Sequence, residues 1–278
     1  MKDILTNKRR LLTILMSSLL LGLAVFLSQS KPTRSEPMTS ITPTVFVHGY
    51  KGGPRSFDTM INRFEQNGWG TSQMTITVTK QGFLRIKGNL RADSQPLVQI
   101  IFQNNRASLD DQTLWLQSIM RKLHEEYGIS EVNLVGHSMG GLATTSYMLN
   151  NQHGEYPAVR KMALIASPFD GIHKPDYFEW NTGEAAKDLH PDSEALRELV
   201  KRKEFFNQQV EVLAIAGVVN ESEQEDFQWD GLVHLKSVRA IQNIVPDAEM
   251  KVVREGPRTH SGLHENEKVD QYVHEFLK

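Results

Sequence analysis

The chain has 278 residues, 39% of them hydrophobic, 23% charged and 8% aromatic, with a formal net charge of -2. That composition excludes a disordered, collagen-like or nucleic-acid-coating chain, and the length suits one large α/β domain. With no cysteine, disulfide scaffolds, zinc–thiolate and iron–sulfur sites and cysteine nucleophiles are excluded as well.

The charge is unevenly placed. Residues 1–36 carry six Lys/Arg against Asp3 and Glu36, a net of +4; the other residues carry 25 basic and 31 acidic groups, a net of -6. A mildly acidic body argues against a nucleic-acid partner. Lys8-Arg9-Arg10 precedes an uncharged, mostly apolar run from Leu11 to Leu27, followed by a Ser/Pro/Thr-rich stretch. This is the layout of a secretory signal, or of an uncleaved anchor at the lower length limit for a bilayer span. The expected division is therefore 1–36, signal peptide or membrane anchor with the start of a linker, and 37–278, a domain held outside the cytoplasm. The membrane enters only through the N-terminal segment.

Further along, Thr44–Val47 reads as a buried strand ending at His48-Gly49. Ser56 to Asn67 has apolar residues at helical spacing, and Met74–Val78 with Phe83–Ile86 reads as a hairpin around Gln81-Gly82. Leu97–Phe102 predicts a strand. Asp110–Tyr127 predicts a long helix with Leu114, Trp115, Ile119 and Leu123 inward, closed by Gly128. Strands are predicted at Val132–Val135, Met162–Ala166, Val210–Ala216 and Met250–Val253, with helices over Leu142–Leu149, Val233–Asn243 and Glu267–Leu277. Alternating β and α units with near-continuous apolar strands predict a mostly parallel sheet with helices on both faces. Residues 169–209, polar with Tyr177, Phe178, Trp180, Phe205 and Phe206, are expected to form a small cap.

The chemistry centres on Gly136-His137-Ser138-Met139-Gly140-Gly141. A G-x-S-x-G match alone is weak. A strand running into it and a helix leaving it make it a nucleophile elbow, which predicts an α/β-hydrolase fold with Ser138 as nucleophile. Such a serine needs a base, and the base needs an orienting acid, in chain order Ser, Asp or Glu, His. Asp230, in a turn before Gly231, is the expected acid, with Glu225 and Asp226 as rivals. His260 and His264 both follow the last strand, and spacing does not separate them. His124, His153, His173, His190 and His274 are expected at the surface; His137 is too close along the chain to serve as the base. Met139 N–H and Tyr50 N–H are the expected oxyanion donors, with His48 in a structural role. No H-E-x-x-H, Walker A or G-x-G-x-x-G pattern occurs, so neither a metal nor a cofactor is expected.

Taken together, Val45–Gly49, Asn104-Asn105-Arg106-Ala107-Ser108, the elbow, Asp230-Gly231 and His260–Asn266 resemble a family of Gram-positive cell-surface α/β-hydrolases, the DUF915 type. The resemblance spans about residues 42–278, with a departure at His234-Leu235. It implies carboxylesterase-like activity on small acyl esters, with Ser138 as nucleophile, Asp230 as acid and His264 as base. The expected partner is a small-molecule ester. A lipase, acyltransferase or thioesterase would use the same three residues. A surface-binding protein on an inactive scaffold would have no need to keep them.

Overall fold

The computed structural model describes residues 41–151, 154–220 and 222–278. The expected signal or anchor and His153 lie outside the described residues. Eight strands form one sheet: β1 (Thr44–Val47), β2 (Thr71–Val78), β3 (Leu84–Gly88), β4 (Pro96–Phe102), β5 (Glu131–His137), β6 (Ala158–Ile165), β7 (Glu211–Gly217) and β8 (Glu249–Val253). Their order is β3-β2-β4-β1-β5-β6-β7-β8. Every pairing is parallel except β2–β3, the hairpin around Gly82. The fold is that of an α/β-hydrolase.

Helix α1 (Arg55–Gln66) leaves β1, α2 (Leu109–Tyr127) leaves β4 and α3 (Met139–Asn150) leaves β5. Short helices α4 (Tyr177–Trp180), α5 (Glu184–Asp188) and α6 (Glu194–Lys201) occupy the segment after β6. Helix α7 (Leu235–Arg239) precedes β8, and α8 (Glu267–Leu277) closes the chain. Among the described residues no helix is long and apolar enough to cross a membrane.

The two faces of the sheet build separate cores, as the two-residue period of a strand requires. Phe46, Val135, Ile165 and Ile215 point to one face, where α1 and α8 supply Phe57, Met60, Phe64, Val269 and Val273. The Phe46 ring sits 5.2 Å from that of Phe57 and 6.0 Å from that of Phe64. Val45, Val47, Leu134 and Leu164 point to the other face, against Leu116, Ile119, Leu142 and Tyr147 of α2 and α3. Helix α2 is capped at one end by Ser108, whose hydroxyl accepts the Asp111 N–H, and is stopped by Gly128 at φ 66°.

Two expectations need correction here. Leu114 is 59% exposed; the inward face of α2 runs through Leu109, Gln112, Thr113, Leu116, Ile119, Met120 and Leu123. Polar Gln112 and Thr113 take part because they find partners. Gln112 donates to the Ala107 carbonyl, and the Thr113 hydroxyl donates to the Leu109 carbonyl and accepts from the Ser146 hydroxyl. His274 is not simply a surface residue either: it stacks on Trp69 with ring centres 4.1 Å apart and planes 6° from parallel.

One buried ion pair joins α1 to α8. Arg63 makes a two-pronged contact with the Asp270 carboxylate, its Nη2 lying 3.0 Å from Oδ1 and its Nε bonded to Oδ2. The same Nη2 donates to the His264 carbonyl at 3.1 Å, so the pair also holds the loop ahead of α8. Burial pushes the Asp270 carboxyl upward, and the Arg63 bond opposes that shift.

Candidate active site

The loops leaving the carboxyl ends of β1, β5, β7 and β8 meet at one edge of the sheet. Ser138 stands between β5 and α3 with φ 54° and ψ -126°, a backbone region costly for a residue with a side chain. Its peptide is locked there: the Ser138 N–H donates to Ile165 O at 2.8 Å, and Gly141 N–H donates to Ser138 O at 2.9 Å. The turn is tight enough that a Cβ at Gly140 would lie 2.1 Å from the Val47 carbonyl oxygen. Only glycine fits, which is the physical content of the motif. Ser138 is 5% exposed, and its Oγ makes no hydrogen bond among the described residues.

Beside the elbow runs the β1 loop. A Cβ on Gly49 would come within 2.8 Å of the Ser138 Cβ and 3.2 Å of the Met139 nitrogen, so bare backbone approaches the serine here. His48 fixes this loop. The Phe102 N–H donates to His48 Nε2 at 3.0 Å, so the ring proton resides on Nδ1, which donates to the Gly49 carbonyl at 2.9 Å. Burial holds the His48 pKa below the ordinary imidazole value. Asn105 completes the clamp: its carbonyl accepts the Lys51 N–H and its amide donates to the Gly52 carbonyl at 2.7 Å. The amides of Tyr50 and Met139 are left without acceptors among the described residues, the condition for donating to an incoming anion.

Asp230 follows β7 and is 1% exposed. Its Oδ1 accepts the N–H groups of Leu232 and Val233 at 2.8 and 2.7 Å, an Asx-type turn made possible by Gly231 at φ 93°. Its Oδ2 lies 2.8 Å from the Nδ1 of His260, and its backbone carbonyl accepts the His260 N–H at 3.0 Å.

Here the geometry departs from the expected pairing. Asp230 meets His260, not His264. Both Asp230 oxygens are engaged, and the Nδ1 of His264 turns instead to Glu265 Oε1 at 3.1 Å. The His264 ring is wedged between Phe57, 6.4 Å away, and His137, 5.0 Å away and edge-on. Its loop is set by α8: the Asn266 side chain donates to the carbonyls of Glu255 and Pro257 and caps the helix through the Lys268 N–H. Burial lowers the His264 pKa, with the Glu265 bond acting in the opposite sense.

In His260 the Nδ1 proton points at a carboxylate, leaving Nε2 bare and without a partner among the described residues. That tautomer can accept a proton. Glu225 and Asp226, the rival acids, are elsewhere: Glu225 pairs with Arg239, and the Asp226 carbonyl receives His234 Nδ1. No cluster of metal-ligating side chains occurs among the described residues.

The segment above this edge is tied to the β1 and β4 loops. Tyr50 Oη donates to Thr182 O at 2.8 Å, and Arg106 Nη1 donates to the same residue's Oγ1 at 3.0 Å. Of its aromatics, Phe206 is buried, Tyr177 and Phe178 are half-buried, and Trp180 is exposed. The tasks of Asn105 and Arg106 were hidden in sequence, where they contribute only to a resemblance; an Asn-Asn-Arg run after an apolar strand is the one signal available.

Comparison with known proteins agrees with this architecture. The family described as "Alpha/beta hydrolase of unknown function (DUF915)" matches residues 31–278. A protein of known structure from Listeria innocua is 27% identical, with a TM-score of 0.73 over 86% of this chain and 94% of its own. A Lactobacillus plantarum protein, provisionally described as a cell surface hydrolase, is 22% identical, with a TM-score of 0.67 over 86% and 92%. The mature Bacillus licheniformis lipase BlEst2 is 17% identical, with a TM-score of 0.56 over 86% and 94%, a likeness of fold. No curated protein matches the sequence. The chain belongs to the DUF915 family of α/β-hydrolases.

Proposed function

We propose that the protein is a serine hydrolase of carboxylic esters with short to medium acyl chains, acting through Ser138, His260 and Asp230. The observation that carries this reading is the Asp230–His260 bond at 2.8 Å, presented at the same sheet edge as a serine held at φ 54°. His260 replaces His264 as the base because it is His260 whose Nδ1 meets the buried Asp230, whereas His264 pairs with the more exposed Glu265 beside it.

The reaction follows from the atoms. Ser138 Oγ attacks the ester carbonyl carbon as His260 Nε2 takes its proton, and Asp230 stabilises the imidazolium without taking that proton itself. The N–H groups of Tyr50 and Met139 hold the carbonyl oxygen as it becomes negative, aided by the N-terminus of α3. Collapse expels the alcohol, which leaves with the proton from His260. A water, deprotonated by the same nitrogen, then releases the acid and regenerates Ser138.

The basic then apolar N-terminal sequence supports action outside the cytoplasm, and the description of the Lactobacillus relative points the same way. A series of p-nitrophenyl esters from acetate to palmitate tests the reading. Turnover concentrated at acetate to octanoate is expected. No turnover of any ester above a Ser138→Ala control would overturn it, and a maximum at palmitate would make the enzyme a lipase.

A further inference from the structure

His137 is buried, carries a ring no step of the proposed reaction uses, and immediately precedes the nucleophile. Its Nε2 lies 3.0 Å from the backbone carbonyl oxygen of His260, and the two rings have centres 4.8 Å apart. A carbonyl oxygen can only accept, so Nε2 carries the proton and donates it.

The His260 peptide is thus gripped on both sides. Its N–H is held by the Asp230 carbonyl at 3.0 Å, and its carbonyl by His137. These two grips do different things. Asp230 belongs to the β7 loop, so its bonds fix the base relative to the acid. His137 ends β5 and is covalently joined to Ser138, so its bond fixes the base relative to the nucleophile. The β8 loop that carries His260 is irregular from 254 to 262, and its other ties run to the β7 side, as Arg258 Nε to Val218 O at 2.9 Å, or to the head of α8, as the Asn266 side chain to the carbonyls of Glu255 and Pro257. Among the described residues, the His137–His260 bond is therefore the polar tie between the base-bearing loop and the strand of the nucleophile. His264 adds a packing contact to His137 but no hydrogen bond to it.

We infer that His137 is a positioning residue for the reaction, its Nε2–H setting the separation of Ser138 and His260 by holding the His260 carbonyl. This rests on His260 being the base. Removing the tie leaves ester binding intact and lowers the rate of proton transfer, because a displacement of about 1 Å in a reacting pair costs on the order of 100-fold.

The experiment compares His137→Leu, His137→Gln and His137→Asn with His260→Ala on p-nitrophenyl butyrate, with thermal melts for each. Leu keeps the buried bulk without a donor. Gln places its amide N–H near the position of Nε2, and Asn is too short to do so. In His137→Leu, kcat is expected to fall roughly 10- to 100-fold with KM within about twofold, and Gln is expected to restore most of the loss. If Leu does not fold, the Gln and Asn variants decide: Gln active and Asn impaired supports the role. A folded Leu variant with kcat within about twofold of the parent, or Gln and Asn variants equal in kcat, overturns it. An active His260→Ala variant would instead mean that the base itself is misassigned.

Discussion

Asp230 holds His260 at two points, through its carboxylate to the ring Nδ1 at 2.8 Å and through its carbonyl to the peptide N–H at 3.0 Å. The ring therefore has neither its rotation nor its backbone free. The other carboxylate oxygen is saturated by two amides, so it cannot swing toward a second histidine. An acid so fully committed selects one base from two histidines only four residues apart.

The first prediction separates those histidines. His260→Ala is expected to lower kcat/KM for p-nitrophenyl butyrate by about 10³-fold or more, as removal of a triad base does. His264→Ala should stay within roughly tenfold of the parent and lose thermal stability instead, since it deletes a buried ring packed on Phe57 and His137. Steady-state rates and melts on the same samples check both halves.

Asp230→Asn tests the acid without emptying its site. The amide oxygen can still accept from Leu232 and Val233, while the amide nitrogen would face Nδ1 and force the other tautomer of His260. A fall in kcat of about 10³- to 10⁴-fold with a near-parental melting curve is expected. A kcat near that of the parent would assign the acid elsewhere.

The ion pair between α1 and α8 should matter for folding. Asp270→Ala leaves Arg63 half-buried with its main partner gone and loosens its hold on the His264 carbonyl. Loss of one partner of a buried pair costs about 3–5 kcal/mol, measurable by urea unfolding.

Stability should fall on mild acidification. Burial holds His48 and His137 below the ordinary imidazole value of 6.5, so the unfolded chain takes up these protons at a higher pH than the folded one. The contribution is complete above about pH 6.5 and is lost as the pH falls through the lower folded values, because there the unfolded state binds more protons. Asp188 and Asp270, raised by burial, act oppositely as the pH falls through their raised folded values. A lower Tm at about pH 5.5 than at about pH 7.5 is expected in calorimetry; a Tm unchanged or higher would contradict it.

Much of this is legible in the sequence. The strands announced themselves as short apolar runs, and the elbow as glycines where a side chain would strike Val47 or Gly141. Asp230 stood out because Asp-Gly followed by two apolar residues is turn chemistry. Long-range choices were not legible. Whether His260 or His264 meets Asp230 depends on how Arg63 and Asn266 fold the loop before α8, contacts that reach from 9 to 201 residues along the chain. Leu114 points outward because the inward face of α2 takes in Gln112 and Thr113, polar residues whose amide nitrogen and hydroxyl find partners at Ala107 and Ser146 once the helix is packed.

The central claim is that Ser138 is a nucleophile activated by His260. Intact-mass analysis after incubation with a fluorophosphonate reads this directly. One adduct mapping to Ser138 is expected in the parent, none in Ser138→Ala, and greatly slowed labelling in His260→Ala but not in His264→Ala. An unlabelled parent, an adduct that persists in Ser138→Ala, or labelling that depends on His264 rather than His260 would contradict it.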